Sequence, residues 1–169
     1  HIAAVGFDLY CQMLKQSVAR MQGRRVARPV EVGLRSDFLV MNEAMMVQAE
    51  KHATPAFLPS SFIEDLKLRI TAYRQVGEIM TRKELEELED QWRDQFGEKL
   101  PHAVQNLLTC ASIRLAAAHV GISDVEIKER KLMLTRNGKF VMIQGKFPRL
   151  SSREGHKQLA ETLEMLRTL

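Results

Sequence analysis

The densest grouping of chemically capable side chains in this sequence is acidic. Glu86-Glu87 and Glu89-Asp90 stand as two adjacent pairs, with Glu84, Asp94 and Glu98 close by. Paired carboxylates serve as general acid and base only where their surroundings push their pKa values apart. These pairs fall on a helical pattern whose polar face is solvated, and no cluster of Arg, Lys or His accompanies them. A charged exposed face is the better reading. The five histidines are scattered: His102 and His119 share one predicted helix but lie 17 residues apart, and His1, His52 and His156 fall near ends or in loops. None has the short ligand spacing that a metal requires. Cys11 and Cys110 sit singly in apolar stripes, as buried reduced thiols do, which argues against a disulfide framework and for a cytoplasmic protein.

Phosphate-binding and nucleophile loops are missing. No Gly-x-x-x-x-Gly-Lys, Gly-x-Gly-x-x-Gly or Gly-x-Ser-x-Gly run occurs among the nine glycines. The chain therefore reads as non-catalytic, with no cofactor or metal of its own. Composition agrees with one ordinary globular domain: 169 residues, 45% hydrophobic, 27% charged, net charge +4. No apolar run approaches the roughly 20 residues needed to span a bilayer. The chain opens in mid-pattern without an initiator Met, as a piece excised from a longer protein would, and as a processed protein also would.

Charge is unevenly distributed. Between 78 and 100, eight acids against four bases give −4, whereas between 122 and 158 nine bases against four acids give +5. Such separation steers partners of opposite sign. The basic segment includes Lys128, Arg130, Lys131, Arg136 and Lys139, which could contact phosphate. It lacks the interleaved aromatics of a single-strand platform, having Phe140 alone.

Periodicity supplies the elements that must position these charges. Phe7, Tyr10, Cys11, Leu14, Val18 and Met21 form one helical stripe, followed by the basic linker Arg24–Pro29. Pro29–Leu34 and Asp37–Met41 read as short strands, and Asn42 caps a brief helix toward Glu50. A helix is expected from Glu64 to Met80 with Leu66, Ile70, Tyr73 and Val76 inward. Thr81-Arg82-Lys83-Glu84 is a capping box opening a helix that buries Leu85, Leu88, Trp92 and Phe96 and stops at Gly97. Pro101 starts the next, with Val104, Leu107, Leu108, Ala111, Leu115 and Ala118 as its stripe. Turns at Glu129-Arg130 and Asn137-Gly138 would bring Val125, Ile127, Leu132, Leu134, Val141 and Ile143 onto one face of a three-stranded meander over 124–143. Ser151-Ser152-Arg153-Glu154 reads as a second capping box before a helix carrying Leu159, Leu163 and Leu166. The expected fold is α+β, with helices packed on a small antiparallel sheet and an N-terminal helical arm.

Against this background a resemblance is visible. Val5-Gly6-Phe7-Asp8-Leu9-Tyr10-Cys11-Gln12-Met13-Leu14, Leu58-Pro59-Ser60-Ser61-Phe62-Ile63, Arg69-Ile70 with Tyr73-Arg74, Glu84-Leu85, Asp94-Gln95-Phe96-Gly97, Pro101, Leu107-Leu108, Arg114-Leu115 and Gly121-Ile122 follow one another in order. Together they resemble the C-terminal regulatory domain of bacterial transcription-repair coupling factors. Departures are Phe62 for a usual tyrosine, Lys67 for asparagine and Gln95 for arginine. The resemblance implies that 1–28 is the tail of an upstream RecG-like motor and 29–169 the regulatory domain. It implies a parent that is an ATP- and magnesium-dependent double-stranded DNA translocase displacing stalled RNA polymerase. In that family the C-terminal domain docks on a UvrB-like N-terminal module and masks the surface that recruits UvrA. The docking helix is the acidic one: Asp94 matches an acidic docking position, Gln91 stands where an acid is usual, and Glu87 and Asp90 are placed to supply that charge. The competing reading from the residues alone is a nucleic-acid-binding module using the basic hairpin 128–139.

Overall fold

The computed structural model describes residues 31–169. The expected helix over 7–21, the linker and the proposed boundary at residue 28 lie outside the described residues. The elements are β1 (Gly33–Ser36), β2 (Leu39–Val40), α1 (Glu43–Met46), β3 (Thr54–Pro55), α2 (Leu66–Glu78), α3 (Arg82–Phe96), α4 (His102–His119), β4 (Ile122–Lys128), β5 (Lys131–Arg136), β6 (Lys139–Phe140) and α5 (Gly155–Thr168).

Helix α4 organises the rest. Val104, Leu107, Leu108 and Ala111 pack into one apolar cluster with Leu58, Ile63, Tyr73, Val76, Leu85, Leu88 and Trp92 of α2, α3 and the segment before them. Its other flank, Cys110, Ile113 and Ala117, packs with Val125, Ile127, Leu132 and Leu134 of the sheet and Leu159 and Leu166 of α5. Two buried flanks explain why a single stripe described it poorly: Ala118 is exposed and Leu115 half-buried, whereas Ile113 and Ala117 are fully enclosed.

The sheet has the order β1-β4-β5-β6, and a separate parallel pair joins β2 to β3. The meander is present, with Ile127 opposite Leu132 and Val125 opposite Leu134. Both turn pairs, Glu129-Arg130 and Asn137-Gly138, have positive φ at each residue, as two-residue hairpin turns need. Glu and Arg are unfavourable there. The first turn is held by Asp37, whose carboxylate accepts from the Glu129 N–H at 2.9 Å, and by the Leu150 N–H, which donates to the Arg130 carbonyl at 2.7 Å.

Four expectations are corrected. The sheet is mixed, because β1 adds to it parallel to β4. The strand expected over 29–34 therefore falls at Gly33–Ser36. Ile143 does not lie opposite Leu132: the chain reverses at Gln144-Gly145, and the Leu132 N–H donates to the Pro148 carbonyl at 2.9 Å. Ile143 is left 52% exposed and Leu150 fills the core instead. Leu66, at the first turn of α2, points to solvent, because α2 starts only after Asp65, whose side chain accepts from the Leu68 N–H.

The second capping box also fails. The Thr81 hydroxyl accepts from the Glu84 N–H at 3.2 Å, and Glu84 reaches back to the Met80 N–H at 3.0 Å, one residue before the cap. At α5, by contrast, Glu154 makes no side-chain cap bond. The carboxylate of Glu161 instead accepts from the Ser151 N–H, the Ser151 hydroxyl and the Ser152 N–H at 2.8, 2.7 and 3.0 Å. Gly155 opens the helix where a side chain would collide with Thr54 and Phe38.

The hydrogen bonds from Ser151 and Ser152 hold the Glu161 carboxyl below the usual carboxylate range. A depressed folded-state pKa stabilises the fold above the unfolded value, near 4.3, and that stability is lost as pH falls through the folded value. Glu161→Gln should cost about 1 kcal/mol in urea unfolding at pH 7. The difference from the parent should close on acidification well below the usual carboxylate range. A gap unchanged by that acidification would assign the loss to packing.

Candidate docking surface

Helix α3 carries the acidic residues because its two faces are sharply divided. Leu85, Leu88 and Trp92 are buried on one side, and Phe62 closes that side with rings 6.3 Å from Trp92 and 5.2 Å from Phe96. Phe62 is positioned by the Leu58–Ile63 segment, itself tied down by the Leu58 N–H donating to the Tyr73 hydroxyl at 2.9 Å and by Arg69 donating to the Ile63 carbonyl at 2.9 Å. Gly97, at φ 125°, ends the helix.

Glu87, Asp90, Gln91 and Asp94 all lie exposed on the opposite side. Their spacing of three and four residues makes them one stripe. The flanking acids are already occupied. Glu86 pairs with Arg82 at 3.3 Å, Glu89 with Arg93 at 3.1 Å, Glu78 stands 4.0 Å from Arg74, and Glu84 caps its own helix. Glu87 has only a 4.0 Å approach from Lys83, and Asp90 and Asp94 make no ion pair or hydrogen bond among the described residues. The helix thus neutralises its own flanks and presents its remaining negative charge along a single line.

The basic residues are brought together less completely. Lys128 pairs directly with Lys131 at one end of the β4–β5 hairpin, and Arg136 with Lys139 at the other. The five residue steps from 131 to 136 separate these ends by about 17 Å. Arg136 donates to the Val120 carbonyl at 3.1 Å and Arg130 to the Ser151 carbonyl at 3.4 Å. These five bases therefore form two groups. Phe147, which sequence reasoning left out, lies beside Phe140 with ring centroids 5.2 Å apart. Only the chain reversal after Val141 brings it there.

A cleft of about 690 Å³ opens between the start of α3, the end of α4 and the end of α5, lined by Met80, Leu85, Leu115, His119, Leu166 and Arg167 among others. No carboxylate lines it; Glu86 and Glu89 line a separate open cleft of about 340 Å³, where Arg82 and Arg93 pair with them. Among the described residues no three His, Cys, Asp or Glu side chains come together as a metal site would need, and no helix is long and apolar enough to cross a membrane. Cys110 is a buried free thiol.

The division of α3 predicts unequal effects of substitution. Replacing Asp90 and Asp94 together by Lys should shift the unfolding free energy by no more than about 0.5 kcal/mol. Trp92→Ala, which empties a fully enclosed site, should cost about 3–5 kcal/mol. Urea unfolding of both variants checks this, and a comparable loss from the two changes would contradict the assignment of the stripe as solvent-facing.

The TRCF domain family model matches residues 53–141, from β3 to just past β6. The transcription-repair-coupling factor of Buchnera aphidicola is 31% identical over 126 residues, which cover 75% of this chain and 14% of that protein. Its counterpart from Escherichia coli is 30% identical over 126 residues, covering 75% of the chain and 10% of the protein. The chain thus spans only a small part of the length of these relatives. A solved structure of the C-terminal domain of transcription-repair coupling factor shares the fold, with a TM-score of 0.51 at 18% identity, over 79% of this chain and 94% of that one. The match extends over more than half the chain and takes in the whole acidic helix: this chain belongs to the TRCF domain family.

Proposed function

We propose that the chain is a non-catalytic regulatory domain of a cytoplasmic transcription-repair coupling factor, docking through α3 on a UvrB-like N-terminal module of the same longer protein. In this reading residues 1–28 are the tail of an upstream motor that uses ATP and magnesium to translocate on double-stranded DNA and act on stalled RNA polymerase. Docking covers the surface of the N-terminal module that recruits UvrA, and engagement of the motor releases it.

The observation that supports this is that Asp90 and Asp94, in line with Glu87, find no partner on their own helix, beside flanks that are internally neutralised. A solvated helix gains nothing for its own stability by leaving two carboxylates unmatched. A basic partner surface gives them one. Gln91, in the middle of the line, adds hydrogen-bonding capacity without charge. Ion pairs at a rim contribute about 0–1 kcal/mol each, so a few of them make a contact that is specific but readily opened.

Calorimetric titration of the chain into the isolated UvrB-like module tests the reading. Micromolar affinity is expected at low salt, weakening markedly as screening shortens to about 8 Å at physiological ionic strength. Asp94→Lys should lower the affinity at least tenfold, about 1.4 kcal/mol. Binding that the substitution leaves unchanged would remove α3 as the docking element.

A further inference from the structure

The face of the sheet turned away from α4 carries a second organised surface. Directly paired residues share a face. Thr135 pairs with Phe140, Lys131 bridges Arg149, and Lys128 pairs with Lys131. The bond from the Leu132 N–H to the Pro148 carbonyl continues that register and sets Phe147 beside Met133. Lys128, Lys131, Arg149, Phe147 and Phe140 therefore stand on one face, opposite the face that buries Leu132 and Leu134. Successive rows along the strand, Lys131 with Arg149, Met133 with Phe147 and Thr135 with Phe140, are about 7 Å apart.

Two properties of this edge are unusual for a solvated surface. Phe140 is 54% exposed and stands edge-on to Phe147 at 81°, leaving ring surface open to solvent. From Arg130 to Arg153 the chain has seven bases and no acid. The acids that share the face are Asp124 and Glu126 on β4, and Glu126 is matched by Arg35 at 3.4 Å.

We propose that this edge is a binding platform for single-stranded nucleic acid, with Phe140 and Phe147 stacking on bases and Lys128, Lys131 and Arg149 holding the phosphates. Open aromatic faces beside a row of cations are what an unpaired strand can use, because every base has a π-face. A duplex keeps its bases stacked on one another and would meet only the cations. An acidic polypeptide would likewise use the charges and leave the rings idle. The platform lies on the sheet and not on α3, so it stands apart from the docking proposed above.

Fluorescence anisotropy of the chain with a labelled oligothymidine of about 12 nucleotides tests this directly. Three phosphate contacts should give a log–log salt slope near −2, and Lys131→Gln or Arg149→Gln should each reduce it by about 0.7. Phe140→Ala should weaken binding roughly tenfold with the slope unchanged, whereas Phe140→Trp should retain it. Phe140 is exposed, so its variants keep the fold, and thermal melts verify that. The proposal is overturned if no binding appears up to about 100 μM protein at low salt. It is equally overturned if duplex or polyglutamate competes as well as the single strand, or if Phe140→Ala binds like the parent.

Discussion

The burial of α4 on both flanks is the constraint on which the other features depend. Most helices of a small domain cover one side of a core. This one separates two, with Val104, Leu107 and Ala111 facing the helical cluster and Cys110, Ile113 and Ala117 facing the sheet. Polar anchors fix its position as well: the Asn106 side chain donates to the Pro55 carbonyl at 2.9 Å, and the Phe57 N–H donates to the Ala103 carbonyl at 3.2 Å. With α4 in place, α2 and α3 have only one surface on which to bury their apolar stripes. The outer face of α3 is then committed to solvent, and so is the outer face of the sheet.

That commitment links the fold to its proposed role. The domain offers an acidic surface on the helical half and a basic, partly aromatic one on the sheet half, with the two cores between them. A rigid separation of this kind lets one domain present charges of opposite sign without their collapsing on one another. In the proposed docking the short acidic line acts through a few ion pairs in high dielectric, each worth little. Reversibility follows from the weakness of the parts, and specificity from their alignment along a helix held by Trp92 and Phe62.

Much of this was legible in the sequence wherever the signal was local. Asn137-Gly138 marked a hairpin, Thr81 with Glu84 marked the start of α3, and the parity change between Ile127 and Leu132 required the register that β4 and β5 adopt. The acidic stripe was legible too, because helical spacing alone puts Glu87, Asp90 and Asp94 in line. Long-range pairings were not. No local pattern in Gly33–Ser36 reveals a parallel partner some 90 residues away, and nothing near Ser151 shows that Glu161, rather than Glu154, would satisfy its donors. Ile143 was misplaced for the same reason: the returning segment sets buried Pro148, and not Ile143, across from Leu132. Phe147 escaped notice because its neighbour Phe140 is reached through a chain reversal and not along a strand.

The most direct measurement is UvrA capture by a full-length transcription-repair coupling factor carrying this chain as its C-terminal domain, comparing the parent with a variant carrying Asp90→Lys and Asp94→Lys. If the acidic line holds the domain against the UvrB-like module, the parent should retain little UvrA in the absence of ATP turnover, and the variant should retain much more. Equal and weak capture by both, from proteins that unfold alike, would contradict the docking of α3 as the mask.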